Sequence, residues 1–401
     1  MRQHRFWIVL LCICLAVALA ASGCGKKESP SEPAAGTSKE PVRIGGIFDL
    51  TGPTGDVGMP YAEGAKAYIA YINSKGGVNG REVKLFDIDY AYDKTKALEA
   101  YNKLVKQNQV AAILGWGTGD TEALKQMIAD DKIPYISGSY SEGLLDITQC
   151  PYNFLIAASY SDQARIALKW VKDNWKESRK PRIAFVYNDT PFGKSPIDDA
   201  KKFATENGFE VVADEIIDLK ALDATSQILD LKQKQADFAI VQGTSNLAST
   251  VLKGAKQHGL KTKFIGLNWA ADEKVIQLAG DAAEGYLGVI PFAFPYENVP
   301  GMAAIKEYLT SQGQKLEDKN QKFVQGWTSA LIMLEGVRLA GDNVTGEGIK
   351  AGLESLSNFD TGGLSAPVTF TAESHRGSEK VRLAEVKNGK FEYLTDWIGY
   401  K

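Results

Sequence analysis

The sequence predicts an α/β protein of two lobes, each built on a mostly parallel, doubly wound sheet. Two observations carry this prediction. Short β-branched runs alternate with amphipathic helical stretches from about Val42 onward, and the alternation restarts near Ser161. The folded stretch is also about 360 residues long, more than one hydrophobic core usually holds.

Taken in order, 42–49 reads as a strand. A helix follows over 61–74, with Ala62, Ala65, Ile69 and Ile72 on one face and Gly76-Gly77 as its stop. Strands are expected at 83–88, 110–114 and 133–137, and helices at 95–107 and 121–130. The second unit reads as strands at 183–187, 211–217, 238–242, 264–266 and 286–290, with helices at 196–207, 225–233 and 247–258. Helices over 302–311 and 322–339 need a sheet to pack on, and the first lobe is the natural host. Short strands near 367–371, 381–386 and 391–394 close the chain. The backbone is expected to cross between lobes near 157–161, 291 and 379–381. Such crossings make a hinge, with the ligand cleft between the lobes.

The N-terminus fixes the compartment. Arg2 and Arg5 precede an apolar run from Phe6 to Leu19, then small residues and Cys24. A basic start, a short apolar segment and small residues describe a secretory leader, too short for a spanning helix. A cysteine at that point is the pattern of a bacterial lipoprotein, with residues 1–23 removed and Cys24 lipidated. Residues 24–41 are rich in Pro, Ser, Gly and charge, and they read as a flexible tether. The protein is therefore expected in the periplasm or at the cell-envelope face of a membrane. Cys12 and Cys14 leave with the leader, so Cys150 stands alone, unable to form an intrachain disulfide and expected as a buried thiol.

Charge says little about partners. The chain has 46 basic and 49 acidic residues, net −3, and loss of Arg2 and Arg5 brings the mature form to −5. No basic block stands out beyond the tether, which argues against a nucleic-acid partner.

In a parallel sheet, ligands are met by the loops at the C-terminal strand ends. These loops are 49–56, 115–121 and 137–141 in the first lobe, and 188–193, 242–246 and 266–270 in the second. The 115–121 loop, Gly-Trp-Gly-Thr-Gly-Asp-Thr, is the most informative. Its glycines permit close backbone approach, and the following helix offers unpaired N–H groups to an anion. Hydroxyls of Thr118 and Thr121 add neutral donors. Ser137, Ser139 and Ser141 face the same crevice, and Trp116, Phe192 and Trp269 can wall an apolar pocket. The loop lacks the Gly-Lys-Ser/Thr of a Walker motif, and Asp120 replaces the third glycine of a dinucleotide fingerprint. Read alone, it is equally a capped strand-to-helix turn.

Little points to an enzyme. The mature chain has only His258 and His375, and no GxSxG, HExxH or paired-cysteine spacing occurs. Asp87, Asp89 and Asp93 lack the loop glycine of an EF-hand and read as a solvated strand end and a helix N-cap. No cofactor or metal is expected.

The run Ile-Gly-Gly-Ile-Phe-Asp-Leu-Thr-Gly-Pro, then 72–81 and the 115–121 loop, resembles the leucine/isoleucine/valine-binding family. These are periplasmic solute-binding proteins of ABC importers, and the likeness runs from about Val42 to the end, including 188–193 and 282–285. It implies two Rossmann-like lobes joined by a multi-strand hinge, the type I periplasmic-binding fold, divided as 42–158 with 292–380 and 159–291 with 381–401. It further implies a non-enzymatic, monomeric, lipid-anchored protein that closes on a small carboxylated solute and serves an inner-membrane permease. The matching site positions are Thr118, Ser139, Ser141, Phe192, Thr244 and Asn268, with Trp116 and Trp269 expected beside them as flanking walls. Amino-acid binders of the family place Tyr at the position of Thr244 and an acid, for the ligand ammonium, at that of Asn268. This chain departs at both. Either Asp120 or Asp189 substitutes, or the ligand is an amine-free organic or aromatic acid; His375 and Arg376 read first as a surface turn and otherwise as further anion contacts. A ligand-sensing receptor component of the same fold is the alternative function, and an extracellular enzyme a remote third.

Overall fold

A computed structural model describes residues 39–401. The expected leader, the expected lipidation at Cys24 and most of the expected tether fall outside the described residues.

The first unit alternates β1 (Val42–Phe48), α1 (Gly55–Ser74), β2 (Val83–Asp89), α2 (Lys94–Asn102), β3 (Ala112–Leu114), α3 (Thr118–Asp130), β4 (Tyr135–Ile136) and β5 (Asn153–Phe154). Its strands form a parallel sheet in the order β2-β1-β3-β4-β5. The second unit runs α4 (Tyr160–Asn174), β6 (Arg182–Tyr187), α5 (Pro191–Lys194), α6 (Ile197–Glu206), β7 (Glu210–Ile216), α7 (Thr225–Gln233), β8 (Phe238–Gln242), α8 (Ser245–Gln257), β9 (Lys263–Gly266), α9 (Glu273–Ala279) and β10 (Leu287–Ile290). The chain then adds α10 (Met302–Ser311), α11 (Gln321–Ala340) and α12 (Gly346–Glu354) before closing with β11 (Arg382–Lys387) and β12 (Lys390–Tyr393). The second sheet has the order β12-β11-β10-β9-β8-β6-β7, parallel except at the antiparallel pairs β10–β11 and β11–β12. The two sheets, each flanked by helices, are the α/β fold that the alternation predicts.

Side-chain packing explains the return of α10 and α11. Met302, Ile305, Leu309, Phe323 and Trp327 bury against Ala67 of α1. By contrast Ala164, Ile166 and Leu168 of α4 join Ile183, Phe185 and Ile240 of the second sheet. The chain thus passes between the units after β5, after β10 and before β11. Isolated bridges stitch these passages: Leu155 to Arg376, Phe292 to Ser365 and Val381 to Ile398.

The expected strand at 367–371 is not one. Val368 makes a single bridge to Phe359 and Thr371 one to Ser374, with Val368 and Phe370 anchored in the core as loop residues. Three further expectations concern single groups. Cys150 is a free, buried thiol, and burial raises its pKa. Asp93 caps α2 by accepting from Thr95 and Lys96 N–H, while Asp89 accepts from Leu50 and Ala91 N–H. His375 is no surface turn: it is buried, with Nδ1 on Asn153 O and Nε2 on Glu354.

Candidate functional site

The sharp turn after β1 is set by Asp49, whose carboxylate accepts from Gly52 N–H (2.6 Å), Thr54 N–H (2.9 Å) and the Thr54 hydroxyl (2.6 Å). Thr54 in turn accepts from Trp116 Nε1 at 2.8 Å, which ties the β1 loop to the β3 loop. Trp116, Gly117 and Thr118 follow β3, and Gly138 follows β4. From the other unit come Phe192 after β6, Thr244 after β8 and Trp269 after β9. All stand where parallel strands deliver ligand contacts. With Val57, Tyr92 and Tyr160 they line a narrow cavity of about 20 Å³ between the lobes, room for roughly one water molecule. That is far below the size of a ligand pocket, so a solute must widen the cleft to enter.

The glycines of the β3 loop serve packing as much as approach. A Cβ at Gly115 would stand 2.1 Å from the Tyr135 ring, and one at Gly117 would stand 2.3 Å from Asp120 Oδ1. Asp120, the residue that breaks the dinucleotide fingerprint, closes the loop. It accepts from Gly117 N–H (3.1 Å) and Tyr90 OH (2.8 Å), and burial pushes its carboxyl up to about 6. Tyr92 is held at φ +59°, a costly conformation for a bulky side chain, so its place in the pocket wall is enforced by its surroundings.

The walls are aromatic. Trp116 and Trp269 meet with centroids 4.7 Å apart, and Tyr160 and Phe192 at 5.6 Å. The Trp269 indole N–H donates across the cleft to Gly138 O and also to Tyr160 OH, both at 3.0 Å. No Asp, Glu, Lys, Arg or His lines the cavity. Its polar end is made by the Thr118 hydroxyl, 2.8 Å from Ser139 Oγ, and by the first turn of α3, whose leading N–H groups have no acceptor within the helix. This pocket suits a small, largely apolar solute with an anionic or strongly accepting end.

The structure brings Trp116, Thr118, Phe192, Thr244 and Trp269 together around the cavity. Ser139 reaches it through its bond to Thr118. Ser141 is turned aside: its hydroxyl donates to Glu122 (3.1 Å) and meets Ser195 Oγ (3.1 Å). Asn268 is fully buried but outside the lining, its backbone N–H donating to Gln163 (3.0 Å) and its side-chain oxygen and nitrogen both without a partner. Asp189 points outward and pairs with Lys194. Arg376 is bound to Asp162 and Glu142, and His375 to Glu354, so neither reaches the cavity. Thr54, Val57, Tyr92, Gly138 and Tyr160 were not singled out from the sequence.

The comparisons agree with one another. A family model described as "Periplasmic binding protein" matches residues 41–390. The leucine-, isoleucine-, valine-, threonine- and alanine-binding protein of Pseudomonas aeruginosa is 25% identical over 304 residues, covering 75% of this chain and 79% of its own. Among solved structures, a branched-chain amino acid ABC transporter protein from Thermus thermophilus with bound valine superposes with a TM-score of 0.85 at 27% identity, covering 90% of this chain and 97% of its own. An ABC transporter substrate-binding protein from Aeropyrum pernix gives 0.84 at 30% identity, over 90% and 96%.

Proposed function

The chain belongs to the periplasmic binding protein family, and from that premise we propose that it is the lipid-anchored, extracytoplasmic solute-binding component of an ABC importer. It captures a small carboxylated solute by hinge closure and presents it to a membrane permease. The observation that carries this reading is the neutral, aromatic cavity between the lobes, with Thr118 and the start of α3 at one end. Contacts from both lobes exist only when the cleft is shut, so a ligand that makes them shifts the population to the closed form. The relatives named for branched-chain amino acids make leucine, isoleucine and valine the first candidates. Our reading assigns 42–158 with 292–380 to the first lobe and 159–291 with 381–401 to the second, and places the lipid on Cys24.

A thermal-shift screen tests it, with leucine, valine and phenylalanine set beside 4-methylpentanoate and benzoate. A solute that binds only the folded state adds about 2.7 kcal/mol of stability at 100 times its Kd. A rise with at least one member is expected, and a flat response across the panel would sink the assignment. For the anchor, growth with labelled palmitate should mark the wild-type protein and leave the Cys24→Ser variant unmarked.

A further inference from the structure

We propose that Asp56 is the countercharge for an ammonium group on the bound solute, which makes that solute an amino acid rather than a simple carboxylic acid. The proposal rests on the solute-binding reading above and adds to it a specificity residue.

Asp56 stands in the first turn of α1, just behind the cavity wall that its neighbours Thr54 and Val57 help to form. Across the cleft it faces the start of α8. Its Oδ2 accepts from Asn246 N–H at 2.9 Å, while its Oδ1 is buried and has no partner. Beside it is Thr244, 1% exposed and part of the cavity wall, whose hydroxyl is equally without a partner. A buried carboxylate oxygen with no charged donor, beside a hydroxyl in the wall of a ligand cavity, is an expensive arrangement for a protein to leave empty. A primary ammonium supplies the missing donors and the missing charge together.

Most other charges nearby are already engaged, and Glu273, whose Oε1 is also without a partner, lines a separate cleft with Tyr296 and Lys319. Asp272 accepts from Ser245 (2.7 Å) and Asn320 (3.2 Å), and Glu273 from Gln321 N–H (2.9 Å). Lys322, which is fully buried, donates to the carbonyls of Asn268 and Ala271 and to Gln321 Oε1. Asp120 is held by Tyr90 and Gly117, and Asp189 by Lys194 on the surface. Asp56 is left with a carboxyl that burial pushes up to about 6, moderated by the Asn246 N–H and by the nearby Thr244 hydroxyl. A cation in the cleft would reverse that shift. The acid that the family places after β9 is thus supplied here from α1, on the opposite lobe.

The test is calorimetric titration of the purified chain with leucine and with 4-methylpentanoate, which differ only in the amine. Wild type is expected to prefer leucine. Asp56→Asn keeps an oxygen for Asn246 N–H but loses the charge, so leucine should weaken about 30-fold or more while 4-methylpentanoate changes little. Thr244→Val should weaken leucine in the same selective way by a smaller factor, which guards against an Asp56 variant that fails to fold. Equal weakening of both probes by Asp56→Asn would reduce Asp56 to a contact between lobes and overturn the proposal. So would a wild-type protein that binds 4-methylpentanoate as tightly as leucine, although solute binding itself would stand. Binding of neither probe, with no response to valine or phenylalanine, would remove the underlying reading instead.

Discussion

Trp269 joins the two lobes through one nitrogen. Its indole N–H is shared between Gly138 O and Tyr160 OH, and its ring lies against Trp116, Tyr61 and Tyr140. Trp269→Phe keeps most of the ring packing and deletes the donor. The loss should cost about 1 kcal/mol of stability, as for other buried hydrogen bonds. It should also loosen the closed cleft, read as a larger radius of gyration for the unliganded protein in small-angle scattering. An unchanged melting temperature and radius would show that the bond contributes nothing to closure. Trp269, like Trp116, Thr118, Phe192 and Thr244, was legible in the sequence because topology alone puts strand-end loops at the cleft. Val57 and Tyr160 were hidden because they lie in the first turns of α1 and α4, where an apolar residue reads as core. Asn268 and Ser141 stand outside the lining, although Asn268 adjoins Trp269 and Ser141 lies two residues after Ser139.

Two glycines set how closely α1 and α11 pack. A Cβ on Gly64 would stand 1.9 Å from Phe323 O, and one on Gly326 would stand 1.8 Å from Tyr61 O. Both contacts are to backbone, so neither can be relieved by turning a side chain. Gly64→Ala and Gly326→Ala are each expected to destabilise by about 2 kcal/mol or more, at the upper end of overpacking, despite the better helix propensity of alanine. Thermal unfolding checks this, and a variant as stable as wild type would mean the helices can separate freely. Sequence spacing located α10 and α11 well because long apolar stretches are the strongest signal. It missed α12, whose segment Gly-Glu-Gly-Ile-Lys-Ala-Gly-Leu-Glu carries three glycines and is held by Thr345 capping Gly348 N–H and by packing on α11. The false strand at 367–371 failed for a related reason: alternating Val368 and Phe370 are buried by loop bridges rather than by a sheet.

At the scale of the whole molecule, closure buries charge between the lobes. Glu273, at the start of α9, accepts from the Gln321 N–H of α11, and burial with Asp272 nearby pushes its carboxyl up to about 8. Lys322 lies in the same layer, and burial pushes it down to about 8. A carboxyl raised in the folded state contributes stability that is complete below its usual pKa near 4.5 and is lost as pH rises through about 8. Over pH 5 to 7.5 Lys322 is mostly protonated in the folded state and fully so in the unfolded one, so its contribution changes little across that window. Glu273→Gln keeps an acceptor for Gln321 N–H and removes the titration. The difference in stability between variant and wild type should therefore grow with pH, by about 2 kcal/mol between pH 5 and 7.5 after allowance for relaxation. The slope, taken from melting temperatures at several pH values, is accordingly the quantity to read. A flat difference would mean that Glu273 is ionised in the folded protein and that the charge layer between the lobes is already balanced by Lys322.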